Sequence, residues 1–260
     1  MTDKGGEKLG EGTLLSHLVE LRTRLMRSML AAAVTAAPCL YYANDLFTWL
    51  TGPLRERLPE GSGLIATSVV APFMTPFKLA LLAAVFFAMP FILYQLWAFV
   101  APGLYRKERR FAVPLLVSSI VLFYAGAAFA YFIVFPIIFQ FFISTTPVGV
   151  SMMTDMTQYL DFVALLFFAF GVAFEIPVAT VLLVRAGIVR IESLGKHRGY
   201  VLLGIFIVAA FLTPPDPVSQ TMMALPMYAL YEIGILMARL LTRGVERPPD
   251  EGGEQETNPA

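Results

Sequence analysis

Three acidic side chains, Glu20, Glu108 and Glu175, are the groups with which this 260-residue chain could do chemistry. Glu20 lies in Ser16-His17-Leu18-Val19-Glu20-Leu21-Arg22-Thr23-Arg24-Leu25. At 100° per residue His17, Glu20, Arg24 and Arg27 share one arc of about 80°, and Leu14, Leu18, Leu21 and Leu25 share another. The segment is an amphipathic helix, and Glu20 is spaced to pair with Arg24, a contact worth about 0.3–0.5 kcal/mol on a helix surface. Glu108 is the one acid within Arg106-Lys107-Glu108-Arg109-Arg110, where by itself it neutralises its neighbours. Taken together, two carboxylates on one membrane face could receive a cationic ligand. A guanidinium suits them, because its planar fork donates two charge-assisted hydrogen bonds to one carboxylate. Glu175 sits deep in an apolar run, in Phe174-Glu175-Ile176-Pro177. An ionised carboxylate costs at least about 2.5–3.5 kcal/mol there, so the position reads as a proton site, a contact for a partner helix or a ligand site. The structural alternative is a neutral acid bonded to carbonyls freed by Pro177. Gln220 is a weaker signal of the same kind, since an uncharged amide is cheaper to bury.

The elements that must position these groups follow from composition. Apolar residues make up 57% of the chain and charged residues 15%, against roughly 45–50% and about 25% in a soluble domain. No Asp, Glu, Lys or Arg occurs between Leu79 and Tyr105 or between Phe111 and Thr154, and each run exceeds the roughly 20 residues that cross a bilayer. Breaks at charge clusters and Pro/Gly turns predict six helices, near 24–44, 73–100, 113–138, 159–184, 200–213 and 218–238. Lys and Arg concentrate on one set of connections, sixteen against the two (Arg55 and Arg57) on the alternate set, which puts both termini in the cytoplasm. Lys78 reads as a snorkelling interfacial lysine, and Tyr94, Trp97 and Tyr105 as an interfacial aromatic belt, with Pro102-Gly103 making the turn. The Pro- and Gly-rich outer loops predict compact caps, and Pro214-Pro215-Asp216-Pro217 a tight reversal. The expected fold is therefore an all-α polytopic membrane protein with six transmembrane helices, short fifth and sixth helices and structured outer-loop caps. It forms a single domain over residues 1–243, ahead of a disordered polar tail at 244–260.

Several function classes drop out. Nineteen basic and nineteen acidic residues cancel, which removes the basic excess that nucleic-acid binding needs. Cys39 is the sole cysteine, and His17 and His197 stand in separate polar segments, so no metal site is expected. Neither a phosphate-binding loop nor a zinc-binding His-Glu-x-x-His motif is present, and no nucleophile stands beside a base. No cofactor is implied. A proton-coupled small-solute transporter using Glu175 as its carrier site remains the alternative, weakened by the lack of an internal repeat.

Four segments in order resemble the TatC family, the multispanning subunit of the twin-arginine protein translocase. They are Ser16-His17-Leu18-x-Glu20-Leu21-Arg22-x-Arg24-Leu25, Phe99-x-x-Pro102-Gly103-Leu104-Tyr105-x-x-Glu108-Arg109-Arg110, Phe174-Glu175-x-Pro177 and Thr213-Pro214-Pro215-Asp216. The resemblance implies a receptor in the cytoplasmic (inner) membrane that recognises Arg-Arg signal peptides on folded cargo. It implies single-span TatA- and TatB-type partners, self-association within the translocase, and transport powered by the proton-motive force without nucleotide. By the same resemblance Glu20 and Glu108 meet the two arginines, with Arg22 and Phe99 in the same patch. Glu175 is then the intramembrane polar site. Tyr200, Phe211 and Gln220, on the fifth and sixth helices, form the partner-docking edge. Pro53 and Asp216 hold structural positions in the outer loops.

Overall fold

A computed structural model describes residues 5–55, 63–104, 109–147, 150, 153–213 and 216–242. Helix α1 (Gly5–Tyr41) is continuous, so the amphipathic segment and the first apolar run form one rod. After α2 (Ala43–Arg55) and the strand β1 (Gly63–Ile65) comes α3 (Ala71–Leu104). The next rod comprises α4 (Arg109–Phe129), a π-helical turn (Ala130–Val134) and α5 (Phe135–Thr145). Strand β2 (Met153–Asp155) then leads into α6 (Met156–Ala173), which breaks at Phe174–Glu175 before α7 (Ile176–Arg185). Helices α8 (Ile191–Lys196), α9 (Arg198–Leu212) and α10 (Pro217–Thr242) complete the bundle.

Four helical stretches are long and apolar enough to cross a bilayer: Ala71–Phe99, Val113–Thr145, Met156–Arg185 and Pro217–Leu241. They correspond to the second, third, fourth and sixth expected spans, and make the chain an integral membrane protein. The fifth is short as expected, at 15 residues. The sixth is not: α10 has 26 residues and rises roughly 39 Å. The expected end at 238 was set by the charge of Arg239, but a cation in the last turn complements the helix dipole instead of stopping the helix. Helix α3 likewise continues through Pro102 and Gly103 to Leu104, beyond the turn expected there.

Small residues and glycines set the closest helix contacts. Cys39 packs with Ala80 and Ala84, and Thr35 Oγ1 donates to the Ala84 carbonyl at 2.8 Å, locking α1 to α3. Helix α4 meets α6 at two glycines. A Cβ at Gly126 would collide with the Phe170 carbonyl, and one at Gly171 would lie 2.5 Å from the Phe123 ring. The π-helical turn precedes Pro136, whose ring and missing N–H would otherwise disrupt a regular ladder. Gly187, at φ 71°, ends α7. Its N–H reaches the Val184 carbonyl while that of Ile188 reaches Leu183, the pairing of a Schellman cap.

The end of the bundle that carries α2 is closed by a structured cap. Strands β1 and β2 pair in parallel, Gly63 with Met153 and Ile65 with Asp155. Asp155 caps α6, accepting from the backbone N–H of Thr157 and Gln158 at 2.9 Å, and also accepts the Thr67 hydroxyl at 2.6 Å. These bonds hold its carboxyl down at about 2, the Thr67 hydroxyl being the largest cause. Thr75 bonds Thr157 at 2.9 Å, and the Tyr159 hydroxyl donates to the Leu50 carbonyl at 3.0 Å. Lys78 is not simply snorkelling. It pairs with Asp161 across α3 and α6.

Candidate functional site

At the opposite end of the bundle, α1 turns Glu20 and Arg24 of its polar stripe toward α3, while His17 and Arg27 stay exposed. Glu20 is half-buried while Leu18, Leu21 and Leu25 are exposed. Arg24 bridges the stripe to α3: its Nε and Nη2 donate to Glu20 Oε1 at 2.9 and 2.6 Å, and its Nη1 reaches Gln95 Oε1 at 3.4 Å. One turn further along α3, Phe99 stacks on His17 with ring centroids 4.3 Å apart. Glu20 and Phe99 therefore share one niche. Both Arg24 bonds go to Oε1, and Oε2 stands 4.0 Å from His17 Nδ1. An ionised carboxylate has about four acceptor sites, so Glu20 keeps capacity for a second cationic donor. Arg22 is exposed and lies about 200° around α1 from Glu20, on the far side of the helix. Glu108 lies outside the described residues, as does the tail at 244–260.

The second polar site is a chain through the bundle. Trp97 Nε1 on α3 donates to Ser119 Oγ on α4 at 2.9 Å, and Ser119 Oγ donates to Glu175 Oε2 at 2.6 Å. Ser119 is fully buried, and Glu175 Oε1 is buried with no hydrogen-bond partner among the described residues. Glu175 occupies the break between α6 and α7, the position that Pro177 opens in the ladder. Trp97, expected in an interfacial belt, is instead the first donor of this chain. Sequence reasoning missed Ser119 and Gln95. Their signal was that each is a polar residue within a charge-free run.

The third feature is the α9–α10 hairpin. Tyr200 and Phe211 are 77% and 84% exposed and fall about 20° apart around α9, so they share one outward stripe. Gln220 does not join that stripe: its Nε2 donates inward to the Phe206 carbonyl at 2.9 Å, tying α10 to α9. Asp216 caps α10, accepting the Ser219 N–H at 2.7 Å. Pro53 lies within α2. Among the described residues no three His, Cys, Asp or Glu side chains gather to hold a metal.

The sequence of the chain matches the family model for the Sec-independent protein translocase protein (TatC) over residues 16–226. It is 54% identical over 242 residues to the Sec-independent protein translocase protein TatC of Azotobacter chroococcum mcd 1, covering 93% of this chain and 95% of the relative. The TatC protein of Escherichia coli K12 is 53% identical over 226 residues, 87% of this chain and 88% of its own length. A crystal structure titled as the twin arginine translocase receptor TatC superposes with a TM-score of 0.80 at 38% identity, over 87% of this chain and all of that one. With the motif-bearing helices and the niche around Glu20 accounted for, the chain belongs to the TatC family of Sec-independent protein translocase proteins.

Proposed function

We propose that this protein is the receptor and core subunit of a twin-arginine translocase, binding the Arg-Arg motif of signal peptides on folded cargo at the niche formed by α1 and the end of α3. The observation that carries this reading is the half-buried carboxylate: Glu20 is fixed by Arg24 through a single oxygen beside the His17–Phe99 stack. An arginine entering the niche finds an acceptor at Oε2 and an aromatic face on which a guanidinium packs well. Glu108 supplies the second carboxylate in this reading. In this reading the protein has six spans in the inner membrane with both termini in the cytoplasm, and the niche faces the side from which a precursor arrives. Single-span TatA- and TatB-type partners dock along the Tyr200–Phe211 stripe, while Glu175 offers them, or the signal helix, a polar contact. Pro53 and Asp216 shape the outer loops for assembly with further copies of the subunit. The proton-motive force drives transport. Family membership favours protein translocation over small-solute transport through Glu175.

Photocrosslinking of an Arg-Arg signal peptide tests the assignment. A charge-assisted hydrogen bond is worth about 1.5–3 kcal/mol, and the partial exposure of Glu20 favours the lower figure. Glu20→Ala should therefore weaken peptide binding about tenfold, and Glu108→Ala comparably, with the amount of folded protein unchanged. Unaltered crosslinking in both variants refutes the reading.

A further inference from the structure

Beneath the cap, α2, α3, α4 and α6 enclose a hollow of about 330 Å³, bordered by Trp49, Leu79, Phe86, Tyr131, Ala164 and Phe167 among other apolar residues. Its walls offer almost nothing polar. Trp49 stacks on Tyr131 at its edge, with ring centroids 5.3 Å apart. The charged pair Lys78–Asp161 lies one turn beyond the lining on the same stripes: Lys78 is four residues before the lining residue Leu82 on α3, Asp161 three before the lining residue Ala164 on α6, and both side chains are half exposed.

We infer that this hollow is a binding site for a phospholipid carrying a primary ammonium, with one acyl chain in the cavity and the headgroup on Lys78 and Asp161. Hydrocarbon fills an apolar space in a membrane protein because every unfilled wall atom forfeits dispersion contacts. The apolar lining suits a flexible hydrocarbon chain, which can follow an irregular wall. The charged pair selects the head. An ammonium has three donors and a carboxylate about four acceptor sites, so the Lys78–Asp161 pair keeps capacity after its own contact. A phosphate finds Lys78 while the lipid's ammonium finds Asp161. A quaternary choline cannot donate to Asp161, and that distinguishes the two headgroups. Neither the signal-peptide niche nor the Tyr200–Phe211 stripe shares these residues.

Quenching of Trp49 by brominated acyl chains tests the site. The protein is reconstituted in phosphatidylcholine vesicles containing either dibromo-phosphatidylethanolamine or dibromo-phosphatidylcholine, and the Trp49→Phe variant is subtracted to remove the Trp97 signal. Half-maximal quenching is expected at a mole fraction at least fivefold lower for the ethanolamine lipid. The Lys78→Gln/Asp161→Asn double variant should erase that preference. Ala164→Phe, which fills the hollow, should cut quenching by both lipids threefold or more, with folding checked by circular dichroism. Equal quenching by the two lipids in the unaltered protein overturns the proposal, as does a preference that survives the double variant. Quenching relieved by a stoichiometric apolar signal peptide irrespective of headgroup assigns the hollow to a peptide segment and equally overturns it.

Discussion

Ser119→Ala removes the central member of the Trp97–Ser119–Glu175 chain and nothing else of consequence. The hydroxyl accepts from Trp97 Nε1 at 2.9 Å and donates to Glu175 Oε2 at 2.6 Å, so one substitution leaves two polar groups without their partner. In a soluble core each orphaned group costs about 1–3 kcal/mol. Hydrogen bonds within membrane bundles are weaker, averaging about 0.6 and reaching about 1.7 kcal/mol, because the reference state in the bilayer also finds partners. Two such bonds give an expected destabilisation of about 1–3 kcal/mol. Reversible unfolding in lipid discs measures it, and Trp97 emission reports the lost bond locally. The sharper assay is a cycle with Glu175→Ala, which removes the acceptor from Ser119. Coupling between the two positions should reach at least about 0.5 kcal/mol, the scale for residues in direct contact. A Ser119→Ala variant that is as stable as the parent, with unchanged Trp97 emission and no coupling to position 175, would show that the chain of bonds does not form in the bilayer.

Gly126→Ala should destabilise the protein by more than the usual cost of overpacking, about 1–3 kcal/mol, since its Cβ would meet the fixed Phe170 carbonyl. Gly171→Ala should cost less because the obstacle there is the Phe123 ring, which can turn; the two unfolding midpoints measured side by side check the order. Asp155 supplies a pH signature. Its carboxyl titrates at about 2 in the folded protein against an ordinary value of 3.8, so its contribution is complete above pH 3.8 and is lost as the pH falls through about 2. The stability difference between the parent and Asp155→Asn should be flat from pH 5 to 7 and shrink between pH 4 and 2, read from melting temperatures across that range. A difference that grows on acidification contradicts the sign.

The apolar rods were legible because charge-free runs longer than a bilayer have few other uses. The α6–α7 break was likewise signalled by Pro177. What escaped was pairing across helices. Asp161 lies inside an expected span, and spacing along one helix says nothing about Lys78 on another. Ser119 carries no charge, so its position between Trp97 and Glu175 depends on how closely α4 approaches α6, which the two glycines set in three dimensions. Gln220 was singled out correctly as a polar residue in an apolar helix. Its direction, inward to the Phe206 carbonyl, depends on the hairpin closing over it. Helix α10 runs past Arg239 because a cation in the last turn of a helix is stabilising, and a charge in the sequence does not by itself distinguish that from a helix boundary.

Helix α3 is the element on which these polar contacts converge. Thr75 and Lys78 tie its cap end to α6, Gln95 meets Arg24 of α1, Trp97 meets Ser119 of α4, and Phe99 stacks on His17. Trp97 lies two residues from both Gln95 and Phe99, about 200° around the helix, so the end of α3 presents the Glu20 niche on one side and the chain to Glu175 on the other. A helix is stiff over one turn. Phe99 and Trp97 are therefore held in a fixed relation to each other. The niche and the chain of bonds to the intramembrane acid thus rest on opposite sides of the same turn of α3.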